Sequence, residues 1–259
     1  MATTAPLVVP ALKKHTATVI WAHGLGDSGA GWMPIAENFR RRGRFSECAF
    51  VFPNAPSIPI TVNFGMEMPG WYDIVRQRVR LMLNGSLSHD GYRCQRPSAD
   101  RDVQTSFDDL AQAHDQPGIL KSRDYFNSLI KAEIEKGIPS SRIVLGGFSQ
   151  GGAISLFTGI TSPDKLAGIF GLSSYLLLHN KIKDYVKSES TNKDTPIFMG
   201  HGNKDPMVKY EWGLDTSKVL REMGWAVDFR TYKGLAHSAD PTEIDELEHY
   251  LDERLPPLS

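Results

Sequence analysis

The amino-acid sequence predicts an α/β fold in which a mostly parallel central sheet is flanked by helices. Two observations support this prediction. Apolar, β-branched segments such as TATVIWAHG (16–24) have the character of buried strands, and they alternate with segments whose apolar residues recur at helical spacing. Such alternation is typical of a parallel sheet covered on both faces. Because 259 residues suffice for one domain of this kind, we predict a single domain over 1–259.

The individual elements follow from local patterns. Each predicted strand is rich in apolar or β-branched residues and ends near glycine or proline. The predicted strands are 16–24, 48–56, 142–148, 166–175, 195–202 and 227–234, with 59–68 as a candidate third strand of the chain. Each predicted helix has an apolar face at helical spacing. The predicted helices are 31–43, 119–136, 151–161, 210–223 and 241–254.

One segment, at about 75–105, interrupts this alternation. It contains many arginines and scattered turn residues, and it has no sustained apolar periodicity. We interpret it as an irregular insertion in the domain. A lid over a site, a basic loop that binds a partner and a disordered surface segment all remain open as interpretations.

Composition excludes several classes of function. The net charge is −1, so no overall field favours nucleic acid or an anionic membrane. The two cysteines, Cys48 and Cys94, are far apart in sequence and do not indicate a disulfide framework. No apolar run reaches the ~20 residues that a membrane-spanning helix needs. We therefore expect a cytoplasmic protein that does not bind nucleic acid, and we leave the nucleus open as a second location.

The segment from Gly147 to Gly151 carries the clearest chemical motif. It reads G-x-S-x-G, it follows a predicted strand and it precedes a predicted helix, which is the context of a nucleophile elbow. The elbow is a sharp turn that raises its serine to the carboxyl end of the sheet, and side chains two positions away on either side would collide. We predict Ser149 as a nucleophile. The alternative is a glycine-rich turn with a serine that caps the helix.

A serine nucleophile needs a general base, and two histidines follow it late enough in the chain. His249 lies in a polar helical segment and is predicted to be exposed to solvent. His237 lies between a predicted strand and a predicted helix, in the kind of loop where catalytic groups gather. We predict His237 as the base.

A serine nucleophile and a histidine base work with an acid as the third catalytic residue. We expect this acid on the loop before the one that carries His237, at the end of a strand. Asp205 lies there, in HGNKDPMV, although a turn aspartate is the alternative interpretation. Asp215 lies on a predicted helix and Asp240 is too close to His237 in sequence. We predict Asp205 as the acid and His201 as a residue that braces its loop.

When a serine attacks a carbonyl group, the oxyanion that forms also needs hydrogen-bond donors. One is the backbone N–H of Gln150, directly after the nucleophile, and the other should come from the loop after an early strand. The glycines of HGLGDSG (23–29) would let the Leu25 N–H point into the site. A phosphate-binding loop is the alternative, but the segment lacks the G-x-G-x-x-G spacing and a P-loop lysine.

Taken together, these stretches resemble the acyl-protein thioesterase and small carboxylesterase/lysophospholipase family of α/β-hydrolases. The resemblance covers nearly the whole chain outside 75–105, where about thirty residues intervene that the family lacks and that we interpret as an isoform-specific insert or translated intron. The matching stretches are HGLGDSG, GFSQGG, HGNKDPMV and GLAHS, supported by MPGWYD and LAGIFGLSSYLLL.

The resemblance implies an α/β-hydrolase that removes palmitoyl groups from protein cysteines through Ser149, Asp205 and His237. S-acylated proteins are then the substrates, with lysophospholipids or small esters as further substrates. Trp71, Leu176 and Leu178 are expected to contact the substrate, although each could equally be ordinary core. We expect transient contact with a membrane surface, a monomer or weak homodimer, and no metal or organic cofactor. The alternatives are a carboxylesterase or lysophospholipase, and an inactive homologue that binds lipids or partners.

Overall fold

The computed structural model of the chain describes residues 4–75, 114–186 and 190–258. Within these residues, seven strands form one sheet in the order β1-β3-β2-β6-β7-β8-β9, and only its β1–β3 pair is antiparallel. The strands of this sheet are β1 (Leu7–Val9), β2 (Ala17–Ala22), β3 (Cys48–Phe52), β6 (Ile143–Phe148), β7 (Gly168–Leu172), β8 (Ile197–Gly202) and β9 (Val227–Tyr232). The predicted fold class is confirmed.

Helices cover both faces of the sheet. The helices are α1 (Gly29–Arg41), α2 (Gln116–Glu135), α3 (Gln150–Thr161), α4 (Ile182–Tyr185), α5 (Tyr210–Glu222) and α6 (Pro241–Arg254). One apolar core lies between the sheet and α2, α3 and α5, and the other lies between the sheet and α1 and α6. Successive residues of β2 point into the two cores in turn, Ile20 into the first and Trp21 into the second. A strand buried on both faces has a nearly continuous apolar sequence for this reason.

Two features of the architecture differ from the prediction. The short edge strand β1 was not predicted. The candidate strand 59–68 is wrong, because the chain there forms a separate antiparallel hairpin of β4 (Ser57–Ile60) and β5 (Met66–Pro69). The chain reverses between them at Phe64 and Gly65, whose φ angles of 58° and 76° are both in the left-handed region. A continuous strand cannot pass through such a turn.

The parallel strands decide where chemistry can occur. The carboxyl ends of β2, β6, β8 and β9 meet at one edge of the sheet, and ligands of open α/β sheets bind at that edge. Most of the predicted insertion at 75–105 lies outside the described residues. Within the described residues, no helix is long and apolar enough to cross a membrane.

A buried acid lies beneath this edge. Glu243, in the first turn of α6, has no exposed surface, and a Cβ built on Gly200 of β8 would lie 2.2 Å from its Oε1. Neither carboxyl oxygen has a hydrogen-bond partner among the described residues. Burial, assisted by the charges of Asp240 and Glu246, raises the pKa of Glu243 to about 8.

We expect Glu243→Gln to stabilise the protein more at pH 8 than at pH 5. The folded protein keeps a proton on Glu243 that the unfolded chain releases above the ordinary pKa of 4.5, so this group loses its stabilising effect as pH rises toward about 8. A neutral amide removes that loss. Denaturant unfolding at both pH values measures the difference, and Glu253→Gln on the exposed side of the same helix is the control. Parallel pH profiles for wild type and Glu243→Gln would contradict the expectation.

Candidate active site

The turn between β6 and α3 holds Ser149 in a strained conformation. Its φ of 55° and ψ of −123° lie where residues other than glycine are rare. Its N–H donates to the Leu172 carbonyl at the end of β7, at 2.8 Å. The strand, the sharp turn and the helix are those that the G-x-S-x-G motif predicts.

The glycines around Ser149 are required by the backbone of β2. A Cβ at either Gly147 or Gly151 would lie 2.3 Å from the Ala22 carbonyl oxygen. The Gly147 Cβ would also lie 2.8 Å from the Gly151 carbonyl carbon. A side chain at either position would therefore separate the elbow from the neighbouring strand.

His237 connects Ser149 to Asp205. Its Nε2 lies 2.9 Å from Ser149 Oγ, and its Nδ1 lies 2.7 Å from Asp205 Oδ2. Because a carboxylate can only accept, Nδ1 carries the proton and Nε2 is free to accept the serine proton. The structure thus brings the three predicted catalytic residues into one hydrogen-bonded series.

Asp205 is held as a charged acceptor. Its Oδ1 accepts from the backbone N–H groups of Met207 and Val208, at 2.8 and 2.9 Å. Burial by itself would raise the pKa of Asp205, but the nearby His201 ring and the hydrogen bonds from His237 and the Val208 N–H outweigh it and hold the pKa well below its ordinary range. Asp205 is therefore ionised, and its carboxylate accepts the hydrogen bond from His237 Nδ1.

The other candidates lie away from the reacting atoms. His201 is fully buried, and its Nε2 lies 2.9 Å from the Val208 carbonyl oxygen and 3.5 Å from Asp205 Oδ2, so it braces the acid loop. His249 is exposed on α6 beside Glu253. Asp215 pairs with Lys218 on α5, and Asp240 caps the N-terminus of α6.

The predicted oxyanion donors flank the nucleophile. Gln150 begins α3, so its N–H has no partner within the helix. Leu25 follows Gly24, where a Cβ would lie 3.4 Å from the Ser149 Cβ. Among the described residues, neither N–H has a hydrogen-bond partner. Their role in holding an oxyanion stays a prediction.

The three predicted substrate contacts are buried. Trp71, Leu176 and Leu178 expose 2%, 0% and 2% of their surface and belong to the core beside α2 and α3. A role in binding an acyl chain stays a prediction for all three. Trp71 nevertheless adjoins the site, because its backbone N–H donates to Gln150 Oε1 and its indole N–H to the His23 carbonyl, both at 2.8 Å.

Two polar side chains near the site were missed by sequence reasoning. The side-chain amide of Gln150 accepts from the Trp71 N–H and donates to the Tyr72 carbonyl, both at 2.8 Å. It therefore holds two successive residues of that segment. His23 is fully buried and binds backbone through both ring nitrogens. The sequence signal that could have indicated them is a polar residue beside the glycines of HGLGDSG and of GFSQGG. In the described part of the chain, no group of His, Cys, Asp or Glu side chains is arranged to hold a metal ion.

A family model and curated relatives match nearly the whole chain. A family model described as phospholipase/carboxylesterase matches residues 3–80 and 102–255, and the internal gap in the match, 81–101, falls within the predicted insertion. The acyl-protein thioesterase 1 of Emericella nidulans is 54% identical over 253 residues, which cover 97% of this chain and 96% of that protein. The acyl-protein thioesterase 1 of Aspergillus fumigatus is 51% identical over 254 residues, which cover 98% of this chain and 94% of the relative.

Solved structures show the same architecture. Arabidopsis thaliana SOBER1 has a TM-score of 0.73 at 28% identity and covers 93% of this chain and 99% of its own. Zea mays acyl-protein thioesterase 2 also has a TM-score of 0.73, over 96% of this chain and 98% of its own, and at 24% identity that likeness concerns the fold alone. With a family model matched over most of its length and relatives above 50% identity, the chain belongs to the phospholipase/carboxylesterase family of α/β-hydrolases.

Proposed function

We propose that this chain is an acyl-protein thioesterase, a serine hydrolase that removes palmitoyl groups from protein cysteines. The observation that carries the proposal is the series from Ser149 through His237 to Asp205, with distances of 2.9 and 2.7 Å. Relatives named acyl-protein thioesterase 1, about half identical over the whole chain, support the substrate class. S-acylated proteins are then its substrates.

The first half of the reaction forms an acyl-enzyme. His237 Nε2 takes the proton of Ser149 Oγ as that oxygen attacks the thioester carbonyl carbon. The tetrahedral intermediate collapses, the carbon–sulfur bond breaks and the cysteine sulfur leaves with the proton from His237. A thiol is a good leaving group because its pKa is about 8.5.

The charge that develops on the carbonyl oxygen needs donors in fixed positions. The backbone N–H groups of Leu25 and Gln150 are proposed to bind it, and the positive end of the α3 dipole adds to their effect. In enzymes of this kind the loss of one such donor costs about 10²–10³ in kcat.

The second half of the reaction frees the acyl chain. A water molecule attacks the acyl-enzyme, and His237 Nε2 takes its proton and returns one to Ser149 Oγ. Asp205 keeps the Nδ1–H tautomer in place and stabilises the imidazolium in both halves. No step requires a metal ion or an organic cofactor.

A carboxylesterase or lysophospholipase is the second candidate, because the same groups cleave oxygen esters and the family description names phospholipase and carboxylesterase. An inactive homologue that binds lipids or partners is disfavoured by the assembled distances among the three catalytic side chains. The oligomeric state, monomer or weak homodimer, stays a prediction. So does the location of the protein in the cytoplasm, with the nucleus as a second location.

Transient contact with a membrane surface is part of the proposal, because a palmitoyl chain resides in lipid. The hairpin β4–β5 supports it. Phe64 at its tip is 97% exposed and Met66 is 59% exposed. The hairpin contacts the proposed oxyanion loop, residues 23–29, through the bond from the Gly26 N–H to the Pro69 carbonyl. Exposed apolar side chains on a hairpin that contacts the loop at 23–29 fit a lipid surface.

We expect hydrolysis of a palmitoylated cysteine peptide to exceed that of a matched oxygen ester, and Ser149→Ala to lower both rates roughly 10⁴-fold or more. Release of free thiol and of palmitate measures the two reactions. Cleavage of the oxygen ester alone would favour the carboxylesterase. Well-folded wild-type protein that cleaves neither substrate would favour the inactive binding homologue.

Replacement of the acid tests the role of its charge. We expect Asp205→Asn to lower kcat by about 10⁴-fold with little change in KM, because the amide no longer selects the Nδ1–H tautomer of His237. Steady-state kinetics on the palmitoylated peptide measures the effect. Asp215→Asn, on the outer surface of α5, is the matched control and should keep the wild-type rate. Equal rates for the two variants would contradict the assignment of Asp205.

The hairpin tip can be tested separately from catalysis. We expect Phe64→Asn, which tolerates the left-handed backbone at this position, to weaken binding to phosphatidylcholine vesicles by about tenfold, since burial of a phenylalanine contributes about 1.5–3 kcal/mol. Cosedimentation measures the binding. Leu12→Asn, an equally drastic change at a 65% exposed residue near the amino ends of the strands, should leave it unchanged. Equal binding by both variants would remove the hairpin from the membrane contact.

A further inference from the structure

We infer that His23, outside the catalytic triad, is a positioning residue that fixes the backbone peptide carrying the Leu25 N–H. The inference rests on the proposed function, because it concerns the donor that would hold the oxyanion. His23 follows β2, and its side chain is fully buried. A buried imidazole needs partners for its ring nitrogens.

Both partners of His23 are backbone groups. Its Nε2 accepts from the Ala55 N–H at 3.0 Å, so this nitrogen carries no proton. Its Nδ1 therefore carries the proton and donates to the Gly24 carbonyl at 2.7 Å. Burial also lowers the pKa of His23, which favours the neutral ring that this pair of bonds requires.

The Gly24 carbonyl and the Leu25 N–H belong to the same peptide unit. Because a peptide unit is planar, a bond that holds its oxygen also sets the direction of its N–H. The His23 ring thus acts on the proposed oxyanion donor from the side opposite to the substrate.

The neighbouring peptides are held as well. The indole N–H of Trp71 donates to the His23 carbonyl at 2.8 Å, and the Gly26 N–H donates to the Pro69 carbonyl at 2.8 Å. Three successive peptides, from His23 to Gly26, are therefore anchored: the outer two by Trp71 and Pro69, and the middle one by the His23 ring. We call this set of bonds the oxyanion brace.

The brace answers a problem that the glycines create. Gly24 lies beside Ser149 and Gly26 has a φ of 77°, and glycine leaves the backbone free to rotate. Rotation of the peptide between Gly24 and Leu25 would turn a carbonyl toward the oxyanion in place of a donor. Oxyanion stabilisation depends on donors that are already in place, so this rotation must be prevented.

Two substitutions separate the two bonds of His23. In His23→Asn the amide N–H can replace Nδ1–H and donate to the Gly24 carbonyl, while the acceptor for Ala55 is lost. In His23→Gln the amide oxygen can replace Nε2 and accept from the Ala55 N–H, while the donor to Gly24 is lost. A purely structural role for the ring would make the two variants similar in activity.

The experiment compares wild type, Ser149→Ala, His23→Asn and His23→Gln on one acyl substrate. It measures kcat, KM and the affinity for an alkyl boronic acid, which forms a tetrahedral anionic adduct with a serine nucleophile. Thermal unfolding checks that each variant is folded. We expect His23→Gln to lose about 10- to 100-fold in kcat and a similar factor in boronic acid affinity, with KM nearly unchanged. His23→Asn should stay within a few fold of wild type in both.

Wild-type kcat and boronic acid affinity in His23→Gln would overturn the inference, and so would equal losses in the two variants. Hydrolysis that does not depend on Ser149 would instead remove the proposed function, and with it the donor role on which the inference stands. If neither His23 variant folds, Trp71→Phe decides the matter, because it removes one N–H from the brace and keeps an aromatic ring. It should lower kcat and boronic acid affinity together, and wild-type values for both would overturn the inference.

Discussion

The close approach of the elbow to β2 is the constraint on which the rest of the site depends. The Ala22 carbonyl oxygen lies 2.3 Å from where a Cβ would stand at either Gly147 or Gly151, so only glycine fits at both positions. Between these two glycines Ser149 has a positive φ of 55°, and Gly24 of the loop after β2 lies beside it. The predicted nucleophile and the proposed oxyanion donors are thus parts of one backbone contact.

Polar side chains around this contact bind mainly backbone. Asp205 accepts from the N–H groups of Met207 and Val208, and Gln150 binds both Trp71 and the Tyr72 carbonyl. Backbone segments fixed in this way lose little further freedom during the reaction, which is the condition for preorganised electrostatic stabilisation. The loops of this site are therefore held by side chains that bind their backbone groups.

Sequence patterns predicted the elements that repeat a simple rule. Strands buried on both faces have continuous apolar sequences, and the elbow has glycines at fixed positions, so the sheet and the placement of Ser149 followed directly. The three-residue strand β1 is too short for a periodic signal, and the turn at Phe64 requires a left-handed residue that the sequence does not mark. The bond between His23 and Ala55 joins residues 32 apart in the chain, and no local pattern specifies such a partner.

The order of the strands has a consequence for how activity appears as the chain folds. The proposed oxyanion donor Leu25 follows β2, Ser149 follows β6, and Asp205 and His237 follow β8 and β9, so no short stretch contains the whole proposed site. Parallel strands pair across long intervening segments, and such pairings form late and slowly. During synthesis, a chain that has reached β6 would carry a serine without its base. We therefore expect hydrolytic activity only after the strands that carry the site have paired, and incompletely folded chains should be inactive.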